Sequence, residues 1–211
     1  MIAIATPKNE QVKTELEPKL TFEQFLRIYP TDGRYELVDG EIVEVANTRH
    51  HEDTVAFIYK KFDREIDRLD LNFVVRQNVN IKTPRNNGIS QGRVPDISII
   101  NRDIWRSNLS DYSALLEPLQ LAVEVTSTNW EDDYIDKFEE YERMGILEYW
   151  IVDYLAIASR NFLGNPKLET VFVNLLDENG KYQTTKFTGD DKIISQTFPE
   201  LDLTAAQILN I

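Results

Sequence analysis

The sequence predicts an α/β fold in which a central mixed β-sheet is flanked by helices, with an N-terminal hairpin and a C-terminal hairpin plus helix. Segments with helical spacing of apolar residues alternate with short strand-like runs along the 211 residues, and no internal repeat divides the chain. We therefore predict a single domain over residues 20–211. Residues 1–19, which are polar and contain Pro7 and Pro18, are predicted to form a flexible arm.

Capping and turn residues mark the first elements. Thr21 and Gln24 form a capping-box pair that opens a short helix, and Pro30 ends it. Asp39-Gly40 lies between two apolar runs and predicts a two-residue hairpin. From residue 50 to about residue 70, apolar side chains recur at helical spacing and predict a long helix.

The rest of the chain continues this alternation. Residues 84–92 are rich in Gly and Asn and predict a loop between two strands. The predicted elements are strands over 72–83 and 93–100, a short helix over 103–109, a strand over 121–125, a helix over 132–144 ended by Gly145, a strand over 148–153, a hairpin over 171–187 and a closing helix capped by Thr204.

Composition excludes several classes of protein. The chain has no cysteine, which excludes disulfides, thiol nucleophiles and zinc–thiolate sites. No apolar run approaches the ~20 residues that cross a bilayer, so no membrane association is expected. The first residues lack a basic region followed by a long apolar one, and a cytoplasmic protein is therefore expected.

Charge is unevenly distributed along the chain. The formal net charge of −13 argues against a nucleic-acid partner, because phosphate binding depends on Lys and Arg. Between residues 76 and 106, however, six basic residues stand against two acidic ones, so this segment carries +4. The six are Arg76, Lys82, Arg85, Arg93, Arg102 and Arg106. The segment is either a solvated loop with scattered charge or a surface that contacts nucleic acid.

Three charged residues occupy positions where apolar side chains are expected. Glu124 lies within the apolar strand Leu121–Val125, and Asp96 follows Pro95 at the start of another apolar strand. Lys137 shares the inward face of its helix with aromatic residues. Sequential strands are usually neighbours in a sheet, and in that case one site explains all three charges.

Such a site has groups that suit a divalent cation and a phosphate. Two carboxylates from neighbouring strands suit a hard divalent cation such as Mg²⁺ or Mn²⁺, and the Val125 carbonyl could add an oxygen. The Lys137 ammonium could orient or deprotonate water, or neutralise charge on a phosphate. Each residue also has a simpler explanation. Asp96 could belong to a turn, Glu124 could face solvent or pair with an arginine, and Lys137 could extend along the apolar face to water.

Three further residues are supporting candidates. His51 is four residues before Val55 on the long helix, which places it on the core-facing side, although histidine is also common as a polar helix-end residue. Glu52 could approach a metal instead. Tyr141 lies on the same helical face as Lys137.

The pattern resembles the PD-(D/E)XK restriction-endonuclease-like superfamily. The resemblance is carried by Pro95-Asp96, Glu124-Val125-Thr126-Ser127, Lys137 with Tyr141, and "GILEYWIVD". Together with "YELVDGEIVE" and "FPELDLTAAQIL", this set is similar to a restriction endonuclease family expanded in cyanobacteria and catalogued as a domain of unknown function. The resemblance covers about residues 20–208. It implies that Asp96 and Glu124 are metal ligands and that the motif lysine, replaced by Thr126 on the strand, has moved to Lys137.

Three hypotheses about function follow. The first is a Mg²⁺-dependent endonuclease that hydrolyses phosphodiester bonds of nucleic acid, with DNA favoured and a homodimer expected from related folds. The second is a catalytically silent nuclease-fold module that binds nucleic acid or protein, and the third is a metal-dependent hydrolase of a small phosphoester. Scatter of the six basic residues over opposite faces would weaken the case for a nucleic-acid partner.

Overall fold

The computed structural model describes residues 19–30, 32–85, 88, 90–110 and 112–211. The predicted arm over residues 1–19 lies outside these ranges except for its last residue. Two mixed β-sheets with packed helices form the frame of the domain. Within the described ranges, no helix is both long and apolar enough to span a membrane.

The first elements follow their local signals. Helix α1 spans Phe22–Ile28, and its capping box is the predicted one. Strands β1 (Tyr35–Val38) and β2 (Glu41–Glu44) pair antiparallel around Asp39 and Gly40. These two residues have φ angles of 52° and 83°, the left-handed conformation that a two-residue hairpin requires. Both predictions are confirmed.

The remaining elements alternate along the chain. The short strand Ala114–Leu115 and the short helix Arg160–Leu163 have no counterpart in the prediction. In chain order, the elements are α2 (Arg49–Leu69), β3 (Phe73–Arg76), β4 (Asn80–Pro84), β5 (Ser90–Arg93), β6 (Ile97–Asn101), α3 (Arg102–Arg106), β7 (Ala114–Leu115), β8 (Leu121–Val125), α4 (Lys137–Met144), β9 (Glu148–Asp153), α5 (Arg160–Leu163), β10 (Thr170–Leu176), β11 (Tyr182–Phe187) and α6 (Ala205–Leu209).

The larger sheet lies between two apolar layers. Its strand order is β11-β10-β9-β8-β6-β3, with β8 and β9 parallel and the other pairs antiparallel. Helices α2 and α6 cover one face through a cluster that includes Phe62 and Trp150. Helix α4 covers the other face through a cluster that includes Tyr141 and Tyr149. Strand β8 is buried on both faces, so Glu124 within it needs polar partners.

Two predicted strands are each divided between the sheets. Residues 72–83 form β3 in the larger sheet and part of β4 in the smaller one, whose order is β2-β1-β5-β4-β7. Residues 93–100 contain the end of β5 at Arg93 and the start of β6 at Ile97. The prediction of two continuous strands was wrong, because apolar patterning does not report a change of sheet. As a result, Asp96 lies where the chain crosses from one sheet to the other.

The helix after β8 begins irregularly. Residues Asp132–Asp136 form a π-helical turn, from which α4 continues to Gly145. Gly145 has a φ of 87° and ends the helix as predicted. The sequence had predicted a regular helix from residue 132. Such π-helical turns are rare and occur frequently at functional sites.

Candidate active site

Asp96 and Glu124 lie side by side at the ends of neighbouring strands. In the antiparallel pair of β6 and β8, Ile97 is opposite Val123, and continuing this register by one residue places Asp96 opposite Glu124. The Val125 N–H donates a hydrogen bond of 2.7 Å to Asp96 Oδ2. Both carboxyl groups are buried. The fold thus supplies the pair of carboxyl groups that the sequence suggested.

Asp96 is held as a carboxylate by two basic side chains. Arg34 donates hydrogen bonds to Asp96 Oδ1 and to the carbonyl of Val94. His51 Nε2 lies 3.1 Å from Asp96 Oδ2. Burial would raise the pKa of Asp96, but Arg34, His51 and the Val125 N–H hold it well below its usual range. Burial alone would lower the pKa of His51, but the contact of His51 with Asp96 outweighs burial and raises that pKa.

Glu124 has a different environment. The Tyr141 hydroxyl donates a hydrogen bond of 2.6 Å to Glu124 Oε1, and Lys137 Nζ lies 3.1 Å from Glu124 Oε2. Burial raises the pKa of Glu124 to about 7, an effect that Lys137 opposes and Asp96 increases. The two neighbouring carboxyl groups therefore have pKa values shifted in opposite directions.

Lys137 contacts three carboxyl groups. Its Nζ lies 3.1 Å from Glu124, 3.4 Å from Asp133 in the π-helical turn, and 3.5 Å from Glu36 on β1. Burial would lower the pKa of Lys137, but these three groups outweigh that effect and raise it. Burial also raises the pKa of Asp133 well above its usual range. The lysine is therefore an ammonium at neutral pH.

A second buried ion pair connects the site to the smaller sheet. Arg93 is fully buried, and its guanidinium lies 3.0 Å from Glu36 and 2.8 Å from Glu140. Thr83 donates a hydrogen bond of 2.7 Å to the same Glu140 carboxylate. Glu36 contacts both Arg93 and Lys137, so it links this pair to the carboxyl groups on β6 and β8.

Replacing Arg93 should destabilise the whole domain. Arg93→Leu removes the buried cation that Glu36 and Glu140 share and leaves them only the longer contacts with Lys137 and Arg85, and the loss of a buried partner costs about 3–5 kcal/mol. Urea denaturation should show this decrease in the free energy of unfolding. Arg143→Leu is the matched control, because Arg143 pairs with Glu139 on the surface at 3.6 Å and should cost at most about 1 kcal/mol. Equal losses in the two variants would contradict a central role for the Arg93 ion pair.

A cavity adjoins Asp96. It has a volume of about 270 Å³, and Asp96, Arg34 and Glu52 are among the residues that line it. Because Asp96 is in its wall, a small ligand or the edge of a larger substrate can approach Asp96 from this side.

The residues present fit a divalent cation. A carboxylate offers about four acceptor positions, of which Asp96 uses three and Glu124 two in the contacts above. Within the described part of the chain, no three His, Asp or Glu side chains converge on one point as metal ligands. A cation here would therefore have two carboxylate ligands, with water or substrate completing its shell, which is the usual environment of Mg²⁺.

The number of carboxyl groups around Asp96 and Glu124 also suits a bound cation. Among the described side chains, five carboxyl groups are joined by buried ion pairs to three cations. These are Glu36, Asp96, Glu124, Asp133 and Glu140 against Arg34, Arg93 and Lys137. Arg85 also reaches Glu140, but it is shared with Asp39 and Asp136. Full ionisation would leave two negative charges uncompensated with His51 neutral, and one with His51 protonated. Because burial raises the pKa of Glu124 to about 7 and that of Asp133 well above its usual range, protons compensate this charge when no cation is bound.

Comparison with known families places this geometry in context. The sequence model of the Uma2 family, described as a putative restriction endonuclease, matches residues 22–206. The chain belongs to the Uma2 family. A crystal structure of a putative nuclease belonging to DUF820 from Anabaena variabilis superposes with a TM-score of 0.68 over 90% of this chain and 98% of that chain. The two are 16% identical, so this match shows the shared fold. No curated protein gives a significant match.

The Uma2 fold brings most of the predicted site residues together. His51 contacts Asp96, and Lys137 and Tyr141 contact Glu124. The hydrogen bond from the Val125 N–H to Asp96 links the two groups through the residue next to Glu124. Glu52 is different, because its side chain is 58% exposed. Its carboxylate lies 3.6 Å from His51 Nδ1, the ring nitrogen that does not contact Asp96. It lines the cavity at Asp96 without contacting either central carboxylate.

The six basic residues of the +4 segment do not form one free surface. Arg93 is buried in its ion pairs, so it does not contact nucleic acid in this fold. Lys82 pairs with Glu23 at 2.6 Å, and Arg85 pairs with Asp39, Asp136 and Glu140. Arg102 donates to backbone carbonyls, Arg76 lies over the Trp105 ring, and Arg106 is exposed. A nucleic-acid contact by these residues other than Arg93 stays a prediction.

Sequence reasoning missed three members of the site. Arg34, Glu36 and Asp133 each contact a central residue. Arg34 and Glu36 come from the predicted hairpin, and Asp133 comes from the start of the predicted helix over 132–144. A signal was present for Glu36, which is flanked by Tyr35 and Leu37 in an apolar strand, as Glu124 is in its own strand. No comparable sequence signal marks Arg34.

Proposed function

We propose that this Uma2 protein is a Mg²⁺-dependent endonuclease that hydrolyses phosphodiester bonds of DNA. The observation that carries the proposal is the junction of Asp96, Glu124 and Lys137, where paired carboxyl groups meet a buried ammonium. Asp96 and Glu124 would hold the metal. Paired carboxylates beside a lysine are the group types that such hydrolysis uses.

The roles of the protein residues follow from their contacts. When bound, the cation would supply a Lewis acid for the phosphate and lower the pKa of a bound water. Tyr141 and Lys137 fix the two oxygens of Glu124, while Arg34 and His51 fix Asp96, so each carboxyl group is oriented before substrate arrives. Lys137 is held protonated, which suits it to donate a hydrogen bond or stabilise developing phosphate charge, and does not suit it to deprotonate water.

One observation favours a second candidate function. Lys82 and Arg85 already form ion pairs with carboxylates of this chain, and the cavity beside Asp96 has a volume of about 270 Å³. A small phosphoester would fit this cavity without requiring a basic surface. Parallel assays on DNA, RNA and a chromogenic phosphodiester distinguish the two, since a nuclease should prefer the polymers by a wide margin.

Divalent metal should stabilise the protein measurably. At 100 times its Kd, Mg²⁺ or Mn²⁺ should add about 2.7 kcal/mol to the free energy of unfolding, because it binds only the folded state. Thermal unfolding should show a higher Tm, and removal of the metal by a chelator should abolish cleavage of DNA. NaCl at equal ionic strength is the control for screening. A Tm rise that persists in both Asp96→Asn and Glu124→Gln would place the metal elsewhere.

A further inference from the structure

The ammonium of Lys137 lies between carboxyl groups of the two sheets. Lys137 Nζ is 3.1 Å from Glu124 Oε2 on β8 and 3.5 Å from Glu36 Oε1 on β1. Strand β8 belongs to the larger sheet and β1 to the smaller one. A lysine ammonium is carried on a flexible four-carbon stem, so its position depends on the contacts at its end. Glu36 provides the contact that comes from the smaller sheet.

Glu36 is itself fixed by two hydrogen bonds. The Val94 N–H donates to Glu36 Oε1 at 3.1 Å, and Arg93 donates to Glu36 Oε2 at 3.0 Å. The carbonyl of the same Val94 accepts a hydrogen bond from Arg34, which also donates to Asp96. Glu36 therefore has a fixed position relative to the segment that carries Asp96, and it is only 4% exposed.

Asp133, the third carboxyl group at Lys137, is a weaker anchor for two reasons. It is four residues before Lys137 in the same helical segment, so it does not fix the lysine relative to the sheets. Burial also raises the pKa of Asp133 well above its usual range, which favours the neutral form. Burial would raise the pKa of Glu36 as well, but Lys137 and Arg93 outweigh burial and lower it. Glu36 is therefore an anion at neutral pH.

We infer that Glu36 is the positioning residue for Lys137, and that it holds the ammonium beside Glu124 where the phosphate is hydrolysed. The inference rests on the proposed function, since it assigns a role in the same reaction. The described residues that line the cavity at Asp96 do not include Glu36, so it acts through the lysine and not on the substrate. A carboxylate of the smaller sheet thus takes part in a reaction whose other groups lie on the larger sheet and its helices.

The first test is a double-mutant cycle on DNA cleavage. Glu36→Gln keeps the shape of the side chain and an oxygen for the Val94 N–H, and it removes the charge that faces Lys137. The kcat should fall about tenfold or more, the effect typical of losing one contact to a charged group, while KM and Mg²⁺ affinity stay unchanged. In the Lys137→Met background, Glu36→Gln should lower kcat no further, because the residue that it positions is gone.

Glu148→Gln is the matched control. Glu148 is also a buried strand carboxylate with two donors, since it accepts hydrogen bonds of 2.7 Å from Trp150 Nε1 and from the Thr197 N–H. Its substitution should lower Tm and leave the kcat of the folded fraction unchanged. An unchanged kcat in Glu36→Gln overturns the inference, and so does an equal loss of kcat in the parent and in the Lys137→Met background.

The second test follows the ammonium itself and needs neither metal nor cleavage. The ¹H–¹⁵N NMR signal of the Lys137 ammonium, assigned by its absence from Lys137→Met, should exchange slowly with water in the parent and in Glu148→Gln. Glu36→Gln should raise this exchange rate about tenfold or more, because the ammonium is no longer held. That rise in a protein that cleaves no DNA supports the positioning and leaves the nuclease function to fail alone. An unchanged rate in a protein that does cleave DNA overturns the positioning alone.

A charge-balanced pair of variants keeps the test decisive if Glu36→Gln does not fold. Glu36→Met with Arg93→Met removes an anion and its cation together, which costs less than removing one of them. Glu140→Met with Arg93→Met removes the same cation with its other partner and retains Glu36. The first combination should raise the exchange rate of the Lys137 ammonium about tenfold or more above that of the second. Equal rates in the two would overturn the inference.

Discussion

Asp96→Asn should reduce divalent-dependent cleavage of DNA by at least about 10²–10³-fold, the loss typical when one electrostatic contact to the reacting groups is removed. The substitution removes the one charged group that touches Arg34, His51 and the end of β8 together. Its carbonyl oxygen can still accept the Val125 N–H, so the domain should fold with a loss of about 1–3 kcal/mol. Steady-state cleavage assays and urea denaturation measure the two effects separately.

Asp153→Asn is the matched control for this prediction. Asp153 is also a buried carboxylate at a strand end, where it accepts hydrogen bonds from the Tyr134 hydroxyl at 3.2 Å and from two backbone N–H groups at 3.0 Å. Its substitution should cost similar stability and leave the activity of the folded fraction unchanged. If Asp96→Asn cleaves as well as the parent does, Asp96 is structural and the metal-site assignment is wrong.

Lys137→Met should lower cleavage by about 10²–10³-fold as well, because it removes the ammonium that the site directs at Glu124. Methionine keeps the length of the stem and its apolar packing. The sequence alone suggests little change in stability, since an isolated buried ammonium is costly. The structure reverses that expectation, because Glu36, Glu124 and Asp133 would face one another without their shared cation. The free energy of unfolding should fall by about 3–5 kcal/mol.

A rescue variant tests whether an ammonium at position 126 can replace the one at position 137. Thr126 follows β8 two residues after Glu124, so both side chains leave the strand on the same side. Its buried hydroxyl has no partner within the described chain. Thr126→Lys combined with Lys137→Met should therefore recover much of the activity and stability. Lys181→Met, at a surface pair with Glu142, is the control and should change neither. Full activity in Lys137→Met alone would end the migrated-lysine hypothesis.

The parts of the fold that the sequence determined are those governed by local rules. The capping box at Thr21, the helix cap at Thr204, the Asp39-Gly40 hairpin and the helix end at Gly145 were all predicted and are present. Each depends on backbone conformations within a few residues, so the surrounding tertiary structure had little scope to change them. The long helix α2 was predicted for a similar reason, because helical periodicity is a local pattern.

The central site residues were also accessible from sequence, because a charge within an apolar run is visible without a structure. Glu124, Asp96 and Lys137 were chosen on that basis, and the fold brings them together. The reason is energetic, since burying a lone charge costs more than a small domain can lose. Such a residue therefore predicts that a partner exists, although it does not predict which one.

Only the tertiary structure decided the identity of those partners. Arg34 reaches Asp96 across 62 positions of the chain, and Glu36 reaches Lys137 across about a hundred. Arg93 had been counted with a basic surface, yet the crossing from β5 to β6 turns it inward between two carboxylates. Sequence periodicity describes which face a residue occupies within its own element. Which element packs against that face depends on strand order and on the change of sheet at Asp96, and these follow from the packing of the whole chain.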